Sequence, residues 1–245
     1  VRYVLHQAAL GSVPRSLRDP LATHAANVDG FLNILDAVRT EGAQRLVYAS
    51  SSSVYGDHPG LPKREESTGA PLSPYALSKK INEEYAELYA LAYGIQSVGL
   101  RYFNVFGPRQ DPQGAYAAVI PKWIATMLSG EACTINGDGS SSRDFCFVAN
   151  AVQANLRAAI QELSRPSPVF NIAVGDKTCL EDLHQMIQSE LASHEALAVS
   201  LPAVHGPFRE GDIPHSLADI ALATRELGYR PTHTLQQGLV ESMPW

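Results

Sequence analysis

Apolar positions along this 245-residue chain change period several times. Residues 4–9 read as a short strand ending in small side chains. Across 23–39, Val28, Phe31, Leu32, Leu35 and Val38 recur at helical spacing, and Gly42 follows as a stop. Residues 45–50 form an apolar strand, and 51–74 a loop rich in Ser, Gly and Pro. Ser73 and Pro74 then supply an N-cap and a proline at the first helical position. The spacing predicts a helix over 75–93, ended by Gly94, and a strand over 97–103.

Strand and helix alternate through this half, the order of a parallel sheet with helices on its faces. Beyond Asn104 the pattern loosens. A Pro/Gly/Gln loop over 107–114 precedes a helix over 116–129. Short strands follow at 133–137 and 144–148, on either side of the polar turn GDGSSSRD. A helix over 150–162, a strand over 168–173 and a helix over 180–191 complete the readable elements, and the remainder mixes short pieces with the loop PFREGDIPH. There is no repeat, low-complexity tract or linker. The fold class is α/β, a doubly wound parallel sheet with a smaller lobe inserted through its second half.

Composition narrows the function classes. Acidic residues outnumber basic ones 25 to 19, for a formal charge of −6, which argues against nucleic acid as the main partner. No run approaches the ~18 apolar residues of a membrane-crossing helix, and no signal peptide is visible. Three widely spaced cysteines (Cys133, Cys146, Cys179) without a CxxC exclude a disulfide scaffold and point to a reducing, cytoplasmic setting. The eight histidines show no metal-ligand spacing, so no metal site is expected. His6, in a strand, reads as a hydrogen-bonded core residue; 63–66 and Glu83–Glu84 read as solvated surface.

The strongest chemical signal is Tyr75-Ala-Leu-Ser-Lys79 at a helix start. Residues four apart share a helix face, so phenol and ammonium can address one spot. A phenol titrates near pH ~10 and is a poor base at neutrality; a neighbouring cation favours the phenolate. Such a tyrosine can take a proton from an alcohol while hydride leaves the same carbon. Alone, the spacing also fits an ordinary surface pair. Upstream, the serine run 50–53 directly follows a strand, where ligands bind in parallel sheets.

The segments YASSSSVYGD, SPYALSKKINE and GLRYFNVFGPRQDP together resemble the extended short-chain dehydrogenase/reductases acting on nucleotide sugars. HQAALGSVPRS, AAVIPKWI, INGDG, SRDFCFV, NIAVGD and REGDIPHSLAD are similar to bacterial UDP-N-acetylglucosamine 4-epimerases, relatives of the UDP-glucose 4-epimerases. The likeness runs from Val1 to Trp245. It implies a Rossmann-type sheet, bound NAD and a UDP-sugar substrate. The family's glycine-rich GxxGxxG turn and its ribose-binding acidic residue are absent here. The chain starts at Val1, without Met, on what reads as a strand in progress. The expectation is therefore an incomplete Rossmann domain, preceded in the natural protein by roughly three strand–helix units, on the order of 90 residues. This piece alone would then bind NAD poorly or not at all, and Pro244–Trp245 would lie a little short of the natural end.

The resemblance implies roles residue by residue. Ser51, with Ser52 beside it, Tyr75 and Lys79 are the catalytic group, Lys79 also binding the nicotinamide ribose and lowering the tyrosine pKa. Ala8, Ala9, Asn27, Tyr102 and Phe103 match cofactor-lining positions, with simple packing the rival reading for Ala8, Ala9 and Phe103. Gly11, Ser12, Asn104, Ala118, Val119, Trp123, Asn136, Arg143, Arg209 and Asp212 match UDP-sugar contacts, and Ser216 aligns with a gate beside the sugar C2. For Arg143 the rival is a salt bridge to Asp144; for Trp123 it is a core anchor. The NAD-binding domain is expected over 1–103 with 144–173, and the UDP-sugar lobe over 104–143 with 174–245.

The expected reaction is reversible C4 epimerisation of UDP-GlcNAc/UDP-GalNAc through a 4-keto sugar, with UDP-Glc/UDP-Gal as weaker substrates. Dehydratases and decarboxylases of this type need a carboxylate just after the catalytic hydroxyl, and Ser52, Ser53 and Val54 stand there instead. The non-enzymatic alternative is an inactive fragment or UDP-sugar-binding protein. A homodimer through the helices at 23–39 and 75–93 is also implied, with Tyr85, Leu88 and Leu91 as its contacts or, in the rival reading, as core residues.

Overall fold

The computed structural model describes residues 1–113, 118–194, 201–208 and 214–245. Strand β1 (Tyr3–His6) leads into two short helices, α1 (Val13–Arg18) and α2 (Pro20–His24). Neither is long enough to show a period in sequence; each is started by a capping side chain, Ser12 and Asp19, with proline in the first turn. The helix expected from residue 23 is α2 continued by a π-helical turn (Ala25–Asp29) and α3 (Gly30–Thr40). Strand β2 (Arg45–Ser51) runs into a 3₁₀ turn (Ser52–Tyr55) where the sequence shows only a polar loop. Helix α4 (Pro74–Tyr93) is capped by Ser73, whose hydroxyl accepts from the Ala76 N–H at 3.1 Å, and ends at left-handed Gly94. Strand β3 (Ser97–Tyr102) follows.

Most of the later strands and the helix before them are shorter than their sequence pattern, whereas the helix at 148–160 has its expected length and that at 180–193 runs two residues further. These later elements are β4 (Val105–Phe106), α5 (Val119–Leu128), β5 (Thr134–Asn136), β6 (Ser142–Arg143), β7 (Cys146–Phe147) and α6 (Val148–Ile160). Then come β8 (Val169–Ile172), β9 (Thr178–Cys179), α7 (Leu180–Ser193), β10 (Val204–Gly206), α8 (Ala221–Leu227) and α9 (Leu235–Ser242). No described helix is long and apolar enough to cross a membrane.

The chain divides into two compact units. Unit 1 is Val1–Phe103 with Ala151–Ile172 and Asp219–Arg230; unit 2 is Asn104–Asn150 with Ala173–Ala218 and Pro231–Trp245. Two segments fall on the other side of the expected partition. Residues 144–150 belong to unit 2 because β7 pairs with β4 there. Residues 219–230 belong to unit 1, where the Asp219 N–H donates to the Lys63 carbonyl and Tyr229 is fully buried.

Unit 1 is built on a four-stranded sheet, order β1-β2-β3-β8, parallel throughout. Adjacent side chains of β3 show helices on both faces: Arg101 reaches Glu83 of α4, while the Tyr102 hydroxyl accepts from Asn155 of α6. Phe31, Leu35 and Val38 of α3, Leu46 and Tyr48 of β2, and Ala86 of α4 form the core beneath the first face. Strand β1 lies at the sheet edge, so it is less enclosed than its apolar pattern implies: Leu5 is 47% exposed. His6 is correspondingly half-buried beside Phe31, with ring centroids 6.0 Å apart, rather than a hydrogen-bonded core residue.

Unit 2 pairs β4 with β7 and β5 with β10 in parallel, and β6 with β9 antiparallel. Its core gathers Phe106, Trp123, Ile135, Phe147, Leu183 and Leu239. Gly238 lets α9 press on two rings: a Cβ there would fall 2.7 Å from Phe147 and 2.8 Å from Phe106.

Two buried tyrosines of unit 1 test the cost of unpaired polar groups. The Tyr48 hydroxyl meets no hydrogen-bond partner among the described residues, whereas that of Tyr55 donates to Asn171 Oδ1 at 2.6 Å and accepts from Arg101 at 3.1 Å. Tyr48→Phe is expected to raise stability by about 1 kcal/mol, and Tyr55→Phe to lower it by about 1–3 kcal/mol, in urea denaturation. Equal effects of the two changes would refute this account.

Candidate active site

Strand β2 delivers Ser51 to the carboxyl end of the unit 1 sheet, in register with Tyr102 of β3. There it caps the 3₁₀ turn: its Oγ accepts from the Ser53 N–H at 3.1 Å and donates to Ser53 Oγ at 3.2 Å. Tyr75, in the first turn of α4, comes up to Ser51. Burial pushes the phenol pKa up, and the neighbouring Ser51 side chain pulls it the other way. Lys79, one turn on, is 3% exposed and donates to the Ala49 carbonyl of β2 at 2.7 Å. Burial lowers its pKa to about 8 against the opposing pull of Glu83. Thus Tyr75 is brought to Ser51, whereas Lys79 is anchored to β2 and is not among the groups that shift the phenol, on which burial is the largest influence. Ser52 is half-buried beside Ser51.

The cofactor-lining expectations divide. Ala8 and Ala9 are exposed small residues after β1, which leaves the backbone there approachable. The Asn27 amide is already committed: it accepts from the Leu10 N–H at 2.7 Å and donates to the Leu10 carbonyl and to Ser78 Oγ. Ser78 Oγ in turn donates to the Tyr75 carbonyl, so Asn27, in the π-helical turn, ties the loop after β1 to the helix bearing the phenol. The Tyr102 hydroxyl is held between Gln7 and Asn155. Phe103 is fully buried with its ring 6.1 Å from Tyr55, so its side chain serves packing, the rival reading. For NAD, the fit lies at the ribose end: the Lys79 ammonium spends one donor on Ala49 and has two more.

In unit 2, Asn104, Ala118, Val119, Trp123, Asn136 and Arg143 line one cavity of about 340 Å³. Sequence reasoning missed its other walls, among them Lys122, Thr134, Phe145 and Leu180. Asn104 adopts φ 27° and donates to the Asp144 carbonyl at 3.1 Å. Trp123 is at once core and lining, 4% exposed and edge-on to His184 at 5.8 Å. Arg143 donates to the Pro214 carbonyl at 3.0 Å. The alternative salt bridge to Asp144 is not made, because that carboxylate accepts from the backbone N–H groups of Val174, Gly175 and Ala218 at 2.9–3.3 Å. Burial nevertheless raises the Asp144 pKa to about 6. Ser216 is drawn beside this strand by its N–H bond to the Ser142 carbonyl at 2.9 Å. In unit 1, Ser12 caps α1 through its hydroxyl and Gly11 stands before it in open space. Arg209 and Asp212 lie outside the described residues.

The two surface assignments hold only in part: Arg64, Glu66 and Glu84 are exposed, but three of their neighbours are not. The Glu83 side chain is 11% exposed and bonded to Arg101, and Lys63 is 4% exposed, donating to the His58 carbonyl. Glu65 is half-buried and accepts from the Asn171 N–H at 2.8 Å. Most of these partners lie far away in sequence, beyond the reach of a local charge pattern.

Holding Lys79 in this place costs stability. Its native pKa is about 8 against 10.5 in the unfolded chain. The cost, about 3 kcal/mol, is complete below pH 8 and is relieved as pH rises to 10.5, where the unfolded state alone still gains from protonation. Lys79→Met should therefore be more stable than the parent by about 2–3 kcal/mol at pH 7. The difference should shrink above pH 8 in paired urea melts; a less stable variant at pH 7 would contradict it.

Residues 1–173 match the NAD dependent epimerase/dehydratase family. UDP-N-acetylglucosamine 4-epimerase from Methanobrevibacter ruminantium M1, solved with UDP-N-acetylmuramic acid, is 38% identical with a TM-score of 0.92; the alignment covers all of this chain and 76% of that one. The UDP-glucose 4-epimerase of Thermus thermophilus, solved with NAD, is 32% identical with a TM-score of 0.86, over 99% of this chain and 76% of its own. The UDP-glucose 4-epimerase of Mycolicibacterium smegmatis is 34% identical over 98% of this chain and 74% of its own length. With most of its length matched and a parallel sheet that carries the Ser51–Tyr75–Lys79 group, the chain belongs to the NAD dependent epimerase/dehydratase family.

Proposed function

We propose that this chain acts as a UDP-sugar 4-epimerase whose substrates are UDP-GlcNAc and UDP-GalNAc. The observation that carries the reading is the approach of the Tyr75 phenol to Ser51 at the carboxyl end of the sheet, one helical turn before the buried Lys79. Relatives at 32–38% identity are UDP-sugar 4-epimerases, which supports the same class of reaction.

In this reading Lys79 and Tyr75 would hold the nicotinamide ribose of NAD. When bound, NAD supplies the hydride acceptor for the sugar C4 carbon and the donor that restores it. Tyr75 holds the acid/base position: it takes the C4 hydroxyl proton as the carbinol becomes a ketone and returns it at the end. In this reading Tyr75 enters the reaction as the phenolate, its own proton released to solvent; burial opposes that form and the neighbouring Ser51 side chain favours it. Ser51 also orients the C4 oxygen. No carboxylate follows Ser51 in its turn, where Ser52, Ser53 and Val54 stand, so no group is placed to drive elimination. The unit 2 cavity suits a nucleotide: Trp123 offers an aromatic wall, and Arg143 a guanidinium for phosphate oxygens. Ser216, small at the position aligned with the C2 gate, favours N-acetylated sugars. Leu88 and Leu91, 53% and 78% exposed on α4, support a homodimer through α3 and α4.

The test follows UDP-GlcNAc by NMR in the purified protein with NAD added. UDP-GalNAc is expected to appear, and Tyr75→Phe to slow it about 10²–10⁴-fold. Ser216→Tyr should cut N-acetylhexosamine turnover by roughly 10–200-fold, in keeping with ~1–3 kcal/mol of pocket discrimination, and spare UDP-glucose. Calorimetric binding of UDP-GlcNAc without conversion would instead favour a UDP-sugar-binding protein.

A further inference from the structure

Glu83 lies one turn beyond Lys79 on the same face of α4. Its carboxylate is shared among three donors. Oε1 accepts from Ser50 Oγ and from Arg101 Nε at 2.9 Å, and Oε2 accepts from Arg101 Nη2 at 2.8 Å. Ser50 is the strand neighbour of Ser51. Arg101 also donates to the Tyr55 hydroxyl and the Glu65 carbonyl, each at 3.1 Å, so the guanidinium is held from both β3 and the loop before α4.

We infer that Glu83 is a positioning residue for the proposed chemistry, acting through two neighbours: it keeps Lys79 charged and fixes the strand end that carries Ser51. The inference rests on the epimerase reading of Ser51, Tyr75 and Lys79. Lys79 is enclosed and needs a counter-charge, and Glu83 is the anion that opposes its burial. The other groups facing this pair do not substitute for it. His6 of β1 faces Lys79 and is held neutral by burial and by the lysine itself. The Tyr48 phenol of β2 faces Glu83 and is held protonated by burial and by that carboxylate, with Arg101 opposing and Glu87 adding to it. Tyr75 is likewise held protonated by burial. Arg101 offsets the cost of enclosing Glu83, bonding it with two parallel N–H groups. On the strand side, the Ser50–Glu83 bond ties α4 to the residue beside Ser51.

The test is a lysine titration that needs no cofactor or substrate. In protein labelled with ¹³C-lysine, with Lys79 assigned by its loss in Lys79→Met, the ε-methylene shift is followed against pH. The parent is expected to titrate near pH 8. Glu83→Gln should lower the midpoint by about 0.5 unit or more; a drop of about one unit reduces the charged fraction at pH 7.5 about threefold. Glu83→Asp should restore much of it. A smaller shift in folded Glu83→Gln overturns the inference, because a purely structural role would lower the melting temperature and leave the lysine alone. Where the single variant does not fold, Glu83→Gln with Arg101→Met removes both buried charges and is read by the same criterion. Failure of the epimerase reading would appear in the sugar-conversion assay, which the titration does not involve.

Discussion

The bond from the Lys79 ammonium to the Ala49 carbonyl is the constraint on which the arrangement of unit 1 turns. It joins helix α4 to strand β2 two residues before Ser51, deep enough that no solvent competes. With that distance fixed, the start of the helix can reach the strand end only where Tyr75 meets Ser51. The Ser73 cap and Pro74 determine where α4 begins, and so which turn carries the phenol. A slip of one residue at the cap would rotate Tyr75 by about 100° around the helix and break the pair.

Much of this was legible locally. A cap, a proline and a glycine stop bracket α4 within its own sequence, and the apolar runs of β2 and β3 announce buried parallel strands. The serine run could be placed because it follows such a strand directly. What escaped local reading depends on distant partners. Glu83 looks like one of two adjacent surface acids until Arg101, 18 positions away, closes on it. Phe103 resembles a ligand contact in a motif, yet Tyr55 and the sheet enclose it. The two-residue strands of unit 2 carry no periodicity at all; backbone pairing alone defines them.

Unit 2 shows the same dependence on a single group. Asp144 joins the strand bearing Arg143 to the turn after β8 and to the segment bearing Ser216, through three backbone N–H groups. Six of the residues expected around the nucleotide line one cavity because backbone bonds such as these fix the loops that hold them. In sequence, Asp144 reads as a salt-bridge partner for its neighbour. The Asp144 carboxylate turns to the interior, where those N–H groups bind it, and Arg143 lines the cavity wall.

These buried charges are stabilised in three different ways, and the difference separates structure from function. Glu83 and Arg101 compensate each other directly, so their enclosure is close to neutral in free energy and mainly fixes geometry. Asp144 has no cation bonded to it among the described residues but collects three N–H donors, and burial still moves its pKa up to about 6. Lys79 has one neutral carbonyl and a carboxylate one turn away, and it bears the full shift to about 8. A fold selected for stability alone would place methionine there. On the proposed reading the ammonium is kept one turn beyond the phenol that must give up its proton, so the least compensated of these charges marks the point at which stability yields to chemistry.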